Sequence, residues 1–369
     1  MRVGFDAKRI FHNITGLGNY SRDTVRIMSS YFSKNSYFLY NPKPGKIDRL
    51  KIADNLKVCF PKSKVWQKLN SLWRQKAIVK DLVSDKIEIY HGLTNELPVG
   101  IETTNIKTVV TIHDLIFVRY PELYSYIDGK IHYKKFKRAA QVADKVIAIS
   151  EQTKRDIVEF LQVSPTKIEV VYQGCHSAFQ KDYTSKEKEQ VAKKYDLPNK
   201  YLLNVGTIQE RKNLLTIVKA IKNTNHYLVV VGKETNYADK VKAYIKENNM
   251  QNRVCFLKGV SMEELAIIYQ KTSIFIYPSI FEGFGIPIVE ALYSKTPVIS
   301  SVGSCFSEAG GPDSIYIEPH DDLALLKEIN RIENDTLLQD KMKEQGWNYA
   351  QQFNDTVIAN AIMDLYKGL

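Results

Sequence analysis

Short apolar runs alternate with longer stretches of helical periodicity along the first half of the chain. RVGFDAK (2–8) predicts a strand and NYSRDTVRIMSSYF (19–32) predicts a helix. Further strands follow up to IEVVYQG (168–174), and a long helix is predicted over 65–84. Because strands that alternate with helices favour parallel pairing, this half predicts a doubly wound α/β sheet.

A polar, charged stretch at 176–199 interrupts the alternation, and a second series begins at YLLNVG (201–206). We interpret the chain as two tandem Rossmann-like domains, residues 1–175 and 200–349, with that stretch as a linker. Ligands of such sheets bind at the carboxyl ends of the strands. Two parallel sheets that face each other would therefore place a site in the cleft between the domains.

The charge of the chain is unevenly distributed over its 369 residues, a length that fits two domains better than one. Residues 1–180 carry 29 Lys and Arg against 17 Asp and Glu, whereas residues 181–369 carry 23 against 24. A basic surface attracts nucleic acid, anionic lipid or phosphorylated substrates. A solvated, lysine-rich surface without a partner explains the same charge, so both interpretations stay open.

The four cysteines are widely separated and form no Cys-x-x-Cys pair. This pattern argues against a disulfide framework or a zinc site and fits a reducing cytosol. No run approaches the roughly 20 apolar residues that span a bilayer, and the first residues are typical of a strand, not of a signal peptide. We expect a cytoplasmic protein, with peripheral association at the inner face of the cytoplasmic membrane as an extension of that expectation.

Two motifs of the first domain follow predicted strands. TGLGNYS (15–21) places Gly16 and Gly18 where a helix begins, and glycines there let backbone amides approach an anion. TIHDL places His113 at the end of a strand. Each motif alone also fits a structural role, as a glycine turn or as a structural histidine.

A pair of adjacent cations follows the first strand of the second domain. In VGTIQERKNL, Gly206 makes the turn, and Arg211 and Lys212 lie at the top of the sheet. Two cations suit a diphosphate, because both can neutralise it and donate hydrogen bonds to its oxygens. The alternative is an exposed basic pair, although the start of a helix is an unfavourable place for cations.

Two glutamates flank a glycine-rich turn in FEGFGIPIVEA (281–291), again after a strand. The amides of Gly285 and Ile286 lie where a helix begins and are placed to contact phosphates. Glu282 lies on the loop and Glu290 lies one turn into the helix, so both can face one site from different depths. For Glu290 alone, a favourable position in the first turn of a helix is a sufficient explanation.

The predicted helix 65–84 combines tryptophans with basic residues. Such a helix suits a membrane interface and an acceptor carried on a lipid. An ordinary domain helix whose aromatic side packs on the sheet explains the same pattern. The candidates for membrane or acceptor contact are Trp66, Trp73, Lys68, Arg74 and Lys76.

Taken in order, the motifs resemble those of the retaining glycosyltransferases of family 4, which have the GT-B fold. The matching segments cover nearly the whole chain, and their sequences are most similar to those of mannosyltransferase-type members. The resemblance implies transfer of a hexose from a nucleotide-diphosphate sugar, with GDP-mannose favoured and UDP-sugars next. The implied acceptor is a saccharide or lipid-linked glycan in cell-surface polysaccharide or lipopolysaccharide assembly. The segments are GLGNYS, TIHDL, VIAISEQTKRDI, VGTIQERKNL, FEGFGIPIVEA and SEAGG.

The same resemblance assigns the donor's diphosphate to cations and amides. Arg211 and Lys212 would bind it, and Gly206 makes the turn beside them. Gly16 and Gly18 would close on it from the first domain. No cofactor and no metal ion are expected, since cations and helix amides can stabilise the departing charge and no acidic metal-ligand motif of the D-x-D kind stands out.

The sugar and ribose are assigned to carboxylates by the same resemblance. Glu282 would contact the hydroxyls of the transferred sugar, and Glu290 would hold the ribose. The amides of Phe284, Gly285 and Ile286 would surround the phosphates and sugar. His113 would lie beside the reacting sugar and the acceptor.

Family members also typically end in a helix that crosses back to the first domain, here about 350–369. Two positions depart from the family pattern. Thr207 occupies a position where some relatives have arginine, which leaves diphosphate binding more dependent on the later cation pair. Lys295 occupies a position where relatives often have glycine, and we expect strain in that turn.

Two other functions fit parts of the sequence. An NAD(P)-dependent oxidoreductase also uses Rossmann domains, but the G-x-G-x-x-G fingerprint and the acidic residue after the second strand are absent. A non-catalytic basic protein that binds membrane or nucleic acid would explain the charge of residues 1–180. It would leave the two glutamates and the cation pair unexplained, so we expect a glycosyltransferase without a nucleic-acid partner.

Overall fold

The computed structural model describes residues 1–45 and 50–369. The described chain divides into two units, one made of Met1–Gly174 with Asp355–Leu369 and the other of Cys175–Asn354. Residues 176–199, interpreted from the sequence as a linker, lie in the second unit. They include the helix Ser185–Lys194, which begins with a capping box and buries Val191. The polar composition there reflects an exposed, capped helix.

The described strands of the first unit form one seven-stranded parallel sheet, in the order β3-β2-β1-β4-β5-β6-β7. The interior strand β1 pairs with two neighbours, since Val3 lies opposite both Tyr37 and Ile89. Both faces of such a sheet are covered, which explains the nearly continuous apolar runs. The strands are β1 Arg2–Asp6, β2 Ser36–Tyr40, β3 Leu56–Cys59, β4 Ile89–Gly92, β5 Lys107–Ile112, β6 Lys145–Ala148 and β7 Ile168–Val170.

Helices cover both faces of this first sheet. One core cluster contains Val25 and Ile362, and the other contains Ile78 and Ala139. The C-terminal helix Asp355–Lys367 packs in the first of these clusters. The helices of the first unit are α1 Lys8–His12, α2 Gly16–Tyr31, α3 Lys64–Lys68, α4 Asn70–Leu72, α5 Ile78–Ser84, α6 Ile116–Arg119, α7 Tyr126–Val142 and α8 Glu151–Asp156.

The helix predicted over 65–84 is interrupted. A π-helical turn, Trp73–Ala77, separates α4 from α5. Trp73 lies in the core at 1% exposure, and its indole N–H donates a 2.7 Å hydrogen bond to Asp81 Oδ2. The prediction of Trp73 as a membrane-contact residue is therefore wrong, because one unbroken helical period does not describe a segment with a π-turn.

The second unit contains a six-stranded parallel sheet, again counted over the described residues, in the order β10-β9-β8-β11-β12-β13. The strand β8 lies at its centre, between β9 and β11. Their carboxyl ends therefore meet at one edge. The strands are β8 Leu202–Val205, β9 Leu228–Val231, β10 Val254–Leu257, β11 Ile274–Tyr277, β12 Val298–Ser301 and β13 Ile315–Ile317.

The helices of the second unit connect these strands and extend beyond them. Their positions follow the predicted alternation of strands and helices. They are α9 Ser185–Lys194, α10 Leu214–Ala220, α11 Asn236–Glu247, α12 Met262–Lys271, α13 Ile286–Tyr293, α14 Phe306–Gly310, α15 Asp322–Asn334 and α16 Thr336–Ala350.

Lys295 has the strained backbone that its sequence position predicted. Its φ is +54°, in the left-handed region that favours glycine. Its amide donates to the Leu292 carbonyl at 3.0 Å, which closes the end of α13. The expectation of a strained turn is confirmed.

No helix in the described part of the chain combines the length and the apolar content needed to cross a bilayer.

A buried histidine links β4 to the C-terminal helix. His91 Nδ1 lies 2.7 Å from the Tyr366 hydroxyl, and Nε2 lies 2.8 Å from Thr111 Oγ1. Burial lowers the pKa of His91 to about 3, and the nearby His113 contributes in the same direction. The folded first unit therefore holds a neutral imidazole at neutral and mildly acidic pH.

This burial predicts a loss of stability in mild acid. The unfolded chain protonates His91 below its ordinary pKa of about 6.5, whereas the folded unit does not, so stability falls as pH drops. Between pH 7 and pH 5 the free energy of unfolding should fall by about 2 kcal/mol from this residue. Urea unfolding in a Trp347→Phe background, where the remaining tryptophans report on the first unit, measures this.

His91→Gln should make this pH dependence shallower by the same amount, whatever its absolute stability. His320→Gln, at an exposed histidine of the second unit, is the control and should leave the profile unchanged. An unchanged slope in His91→Gln would contradict a neutral, buried His91.

Candidate functional site

The loops that follow β8 and β11 bring the predicted residues of the second unit together. After β8 come Gly206 and the 3₁₀ turn Glu210–Lys212. After β11 come Ser279 and the loop to Gly285. Because β8 and β11 are neighbours in the parallel sheet, both loops lie at its carboxyl edge, where ligands of such sheets bind.

Glu282 forms an ion pair with both predicted cations. Its Oε1 lies 2.6 Å from Arg211 Nη1 and 2.6 Å from Lys212 Nζ. Ser279 Oγ donates a 2.5 Å hydrogen bond to the same oxygen. We call Glu282, Arg211 and Lys212 the charged triad; all three side chains are largely buried.

The cations are fixed by further contacts. Arg211 also donates to the carbonyl oxygen of Phe281. Lys212 contacts the hydroxyl of Tyr277 and lies 4.7 Å from the centre of that ring. Each long side chain thus has several partners, so its position is set before a ligand binds.

The electrostatics of the triad keep the carboxylate ionised. Burial acts to raise the pKa of Glu282, but the charges of Lys212 and Arg211, with the hydrogen bonds from Lys212 and Ser279, outweigh it and lower that pKa to about 2. Burial lowers the pKa of Lys212, while the Glu282 carboxylate works against that shift. Two cations that share one carboxylate retain an excess positive charge, which favours an anionic ligand.

Gly206 has a conformation that its neighbours require. Its φ is +144°, and a Cβ there would come within 3.7 Å of Lys212 Cε. A Cβ on Gly232 would lie only 1.8 Å from the Gly206 carbonyl oxygen. At Gly206 it is the positive φ, not a lack of space, that disfavours a side chain, and the turn lies directly beside Lys212.

The loop before α13 borders the site through its backbone. Gly285 has φ +102° and precedes Ile286, the first residue of that helix. The amide of Ile286 lies at the helix start, where no carbonyl of the same helix can reach it. The Phe284 ring packs edge-on against the Phe353 ring, with 5.4 Å between the ring centres, and anchors the loop in the core.

Glu290 lies on the inner side of α13 and is largely buried. The Tyr269 hydroxyl lies 3.2 Å from its Oε2 and 3.2 Å from the Pro287 carbonyl oxygen. Glu290 and Glu282 thus belong to the same helix–loop element but have different protein partners. Their assignment to ribose and sugar remains a prediction.

Several residues of this site were not predicted from the sequence. Tyr269, Tyr277 and Ser279 hold the two glutamates and Lys212 in place. The sequence contains a signal for Tyr277 and Ser279, which are two residues apart at the end of β11. Residues with that spacing point to the same side of a strand. Nothing in the sequence alone pairs Tyr269 with Glu290.

In the first unit, the two glycines of α2 have different explanations. A Cβ on Gly18 would lie 2.0 Å from the Asn13 carbonyl oxygen, so this glycine is needed for packing. A Cβ on Gly16 would meet no atom within 4 Å. Of the pair, Gly16 is the one with open space beside it at the helix start.

His113 is buried at the end of β5 with both ring nitrogens engaged. Nε2 lies 2.9 Å from the Leu93 carbonyl oxygen and therefore carries the proton, whereas Nδ1 accepts from the Gln173 side-chain amide at 3.2 Å. Burial lowers its pKa to about 4, partly offset by the bond to Leu93. The imidazole is neutral at physiological pH, and Gln173 is a partner that the sequence did not reveal.

Arg74, predicted to face a membrane or an acceptor, is directed into the first unit. It forms ion pairs with Asp6 at 2.5 Å and with Glu96 at 2.7 Å. The prediction of membrane contact is wrong, because the buried Asp6 and the half-buried Glu96 hold the guanidinium inside. Trp66, Lys68 and Lys76 lie at the surface, and their contact with a membrane or an acceptor stays a prediction.

Across residues 1–45 and 50–369, no three His, Cys, Asp or Glu side chains are grouped so that they could hold a metal ion.

Two family models match consecutive parts of the chain. "Glycosyltransferase Family 4" matches residues 43–179, and "Glycosyl transferases group 1" matches residues 185–349. Between them they span most of both units. The boundary between the two matches lies close to the start of the second unit.

Two curated relatives are mannosyltransferases by name. The O-antigen chain mannosyltransferase RfbU of Salmonella typhimurium is 31% identical over 227 residues, which are 61% of this chain and 60% of RfbU. The O-antigen chain mannosyltransferase B of Escherichia coli is 23% identical over 389 aligned residues, which cover 100% of both chains.

Among solved structures, HepE of Anabaena in complex with UDP and glucose matches 100% of this chain and 99% of its own. The TM-score is 0.76 at 16% sequence identity. This likeness concerns the fold, and it confirms the predicted GT-B architecture of two Rossmann-like domains.

The triad geometry predicts strong coupling between its members. Lys212→Met leaves Glu282 with one cation in a buried setting, so the free energy of unfolding should fall by about 2 kcal/mol. Lys212→Met combined with Glu282→Gln should cost less than the sum of the two single variants, by at least about 1 kcal/mol. Denaturant unfolding of the single and double variants measures this coupling.

Lys246→Met, at an exposed lysine of α11, provides the matched control and should change stability little. Strict additivity of Lys212→Met and Glu282→Gln would show that the charged triad does not form.

Proposed function

The chain belongs to the family 4 glycosyltransferases, and from this we propose that it transfers a hexose with retention of anomeric configuration. The donor is a nucleotide-diphosphate sugar. The acceptor is a saccharide or lipid-linked glycan used in the assembly of cell-surface polysaccharide or lipopolysaccharide. The observation that carries the proposal is the Glu282 carboxylate held 2.6 Å from both Arg211 and Lys212.

Arg211 and Lys212 bind the donor's diphosphate in this proposal. They are adjacent, largely buried and held at the carboxyl edge of the second sheet. The backbone turn at Gly206 lies directly beside the Lys212 side chain. The amides of Gly285 and Ile286 at the start of α13 add hydrogen bonds to the phosphates.

Glu282 exchanges partners when the donor binds. In the free protein its carboxylate pairs with both cations. When the donor binds, the cations pair with the diphosphate. The carboxylate is thereby released to accept hydrogen bonds from hydroxyls of the transferred sugar. Glu290 on α13, whose carboxylate faces Tyr269 of α12, accepts hydrogen bonds from the ribose.

The transfer step needs charge stabilisation at the leaving group more than it needs a protein base. The acceptor oxygen forms a bond to the anomeric carbon while the bond from that carbon to the phosphate oxygen breaks. The nucleoside diphosphate leaves with the electron pair, and its phosphate takes the acceptor's proton on the same face. Arg211, Lys212 and the helix amides stabilise the developing negative charge without a metal ion.

The first unit contributes Gly16, Gly18 and His113. The start of α2 offers its amides to the diphosphate, with Gly16 as the glycine that has open space beside it. His113 serves as a neutral group next to the transferred sugar, because burial holds its pKa at about 4. Because Leu93 and Gln173 already engage both ring nitrogens, His113 borders the sugar with its fixed ring and is not the base of the reaction.

GDP-mannose is the favoured donor, because RfbU and mannosyltransferase B are named as mannosyltransferases. A UDP-sugar is the next candidate, in line with the UDP bound in HepE. Membership of a glycosyltransferase family leaves no support for the oxidoreductase or for the non-catalytic binding protein. The enzyme works in the cytoplasm, at the membrane where a lipid-linked acceptor is found.

Glu282→Ala should lower transfer by at least about 100-fold. Because the substitution also frees the two cations, binding of the nucleoside diphosphate alone should be as tight as in the wild type or tighter. Lys212→Ala should weaken the same binding about ten- to hundredfold. Turnover over a panel of nucleotide sugars, with and without EDTA, and calorimetric titration with the nucleoside diphosphates measure these effects, and EDTA should not change the rate.

Glu247→Ala and Lys246→Ala, two exposed positions on α11, are the matched controls. Wild-type turnover in purified Glu282→Ala would rule out this assignment of the site.

A further inference from the structure

Exposed apolar side chains are concentrated in two segments of the first unit. We call residues 64–72, which form α3 and α4, the first apolar segment, and residues 123–131, at the start of α7, the second. In the second, Tyr126 is 74% exposed and Ile127 is 70% exposed. The exposed large apolar residues are Val65, Trp66, Leu69 and Leu72 in the first segment, and Leu123, Tyr124, Tyr126, Ile127 and Ile131 in the second.

These side chains have the spacing of helix faces that normally pack on a core. Val65, Leu69 and Leu72 are four and three residues apart, and Ile127 and Ile131 are four apart, so each set lies on one side of a helix. Here these sides face solvent. Further along α7, Ala139 and Ala140 are buried, so the same helix has a packed end and an exposed apolar end.

Lysines surround both apolar segments. Lys62, Lys64 and Lys68 accompany the first, where residues 62–76 contain no acidic residue. In the second, Lys130 Nζ lies 4.3 Å from the centre of the Tyr126 ring, and Lys134 is exposed one turn further on. Apolar and aromatic side chains beside lysines are the composition of segments that lie in a membrane interface.

The two segments lie on the same side of the first sheet. The helices that follow them, α5 and the later part of α7, bury Ile78 and Ala139 in one core cluster. Glu96 forms a bridge between the two chain regions, since its carboxylate lies 2.7 Å from Arg74 and 3.3 Å from Lys135. Arg74 is two residues beyond Leu72 and Lys135 is one turn beyond Ile131, so the two segments approach each other at this bridge.

An apolar hollow adds to the second segment. It has a volume of about 340 Å³ and lies beside the exposed Tyr126. The ring of Phe117 at its wall packs edge-on against Tyr124 at 6.2 Å. The exposed aromatic side chains therefore border a concave apolar surface.

We propose that the two apolar segments form one surface that docks onto an anionic lipid bilayer. Trp66, Tyr126 and Ile127 enter the interface, and the surrounding lysines contact the acidic headgroups. The surface differs from the helix predicted from the sequence, because Trp73 and Arg74 are turned inward and residues 123–131 are added. Among the alternatives, a second copy of this basic surface would repel it, whereas anionic lipid complements its charge.

The placement of this surface has a consequence for catalysis, and this part rests on the proposed function. Both segments follow strands of the first sheet, β3 and β5, and so begin at its carboxyl edge. His113 lies at the end of β5, at that same edge. Docking would hold this edge of the first unit at the membrane, where a lipid-linked acceptor presents its sugar.

Flotation of the full chain with vesicles of phosphatidylcholine, with and without phosphatidylglycerol, tests the proposal. The wild type should bind the anionic vesicles, and binding should weaken as salt is raised. Tyr126→Ser with Ile127→Ser, and Val65→Ser with Leu69→Ser, should each reduce binding at least about tenfold. Transfer to a water-soluble acceptor should stay unchanged in both variants, which shows that they are folded.

Leu323→Ser with Leu337→Ser is the matched control, since these leucines are 77% and 83% exposed on the second unit. It should bind vesicles like the wild type. The proposal is overturned if the wild type does not bind anionic vesicles, or if both double variants bind as it does. It is equally overturned if light scattering shows that the segments mediate self-association in place of lipid binding.

The outcome is separable from that of the proposed function. Vesicle binding without turnover of any nucleotide sugar would contradict the proposed reaction and leave the docking surface standing. Turnover without vesicle binding would contradict the docking surface and leave the proposed reaction standing.

Discussion

The sharing of one buried carboxylate by two adjacent cations is the interaction on which the site of the second unit depends. Arg211 and Lys212 would repel each other at the edge of a sheet if Glu282 did not lie 2.6 Å from both. Ser279 and Tyr277 fix the partners, and the glycine turn at position 206 makes room for them. The arrangement keeps a positive site intact in the free protein and leaves it available to a diphosphate.

The two units differ in the charge of the side chains at the carboxyl edges of their sheets. The second concentrates buried charge at the carboxyl edge of its sheet, where preorganised cations can stabilise a leaving group. The first places His113 and His91 at and near the equivalent edge as neutral groups, since burial lowers the pKa of each. Its pair of Arg74 with Asp6 is buried, whereas pairs such as Lys107 with Asp144 lie at the surface.

The sequence predicted the features that follow from local rules. Strands were recognised because both faces of a parallel sheet are covered, which makes them continuous apolar runs. Strain at Lys295 was expected from the family resemblance, since relatives often have glycine at that position. Features that depend on tertiary packing were not recognised. A π-turn moved Trp73 into the core, a capped helix looked like a linker at 176–199, and the partners Tyr269 and Gln173 lie far from Glu290 and His113 in the chain.

A crystal structure of the full chain with its nucleotide sugar tests the central claim most directly. The account predicts diphosphate oxygens within hydrogen-bond distance of Arg211 and Lys212, Glu282 turned to the sugar hydroxyls, and Glu290 at the ribose. A donor bound elsewhere, with the Glu282 carboxylate still holding both cations, would contradict it.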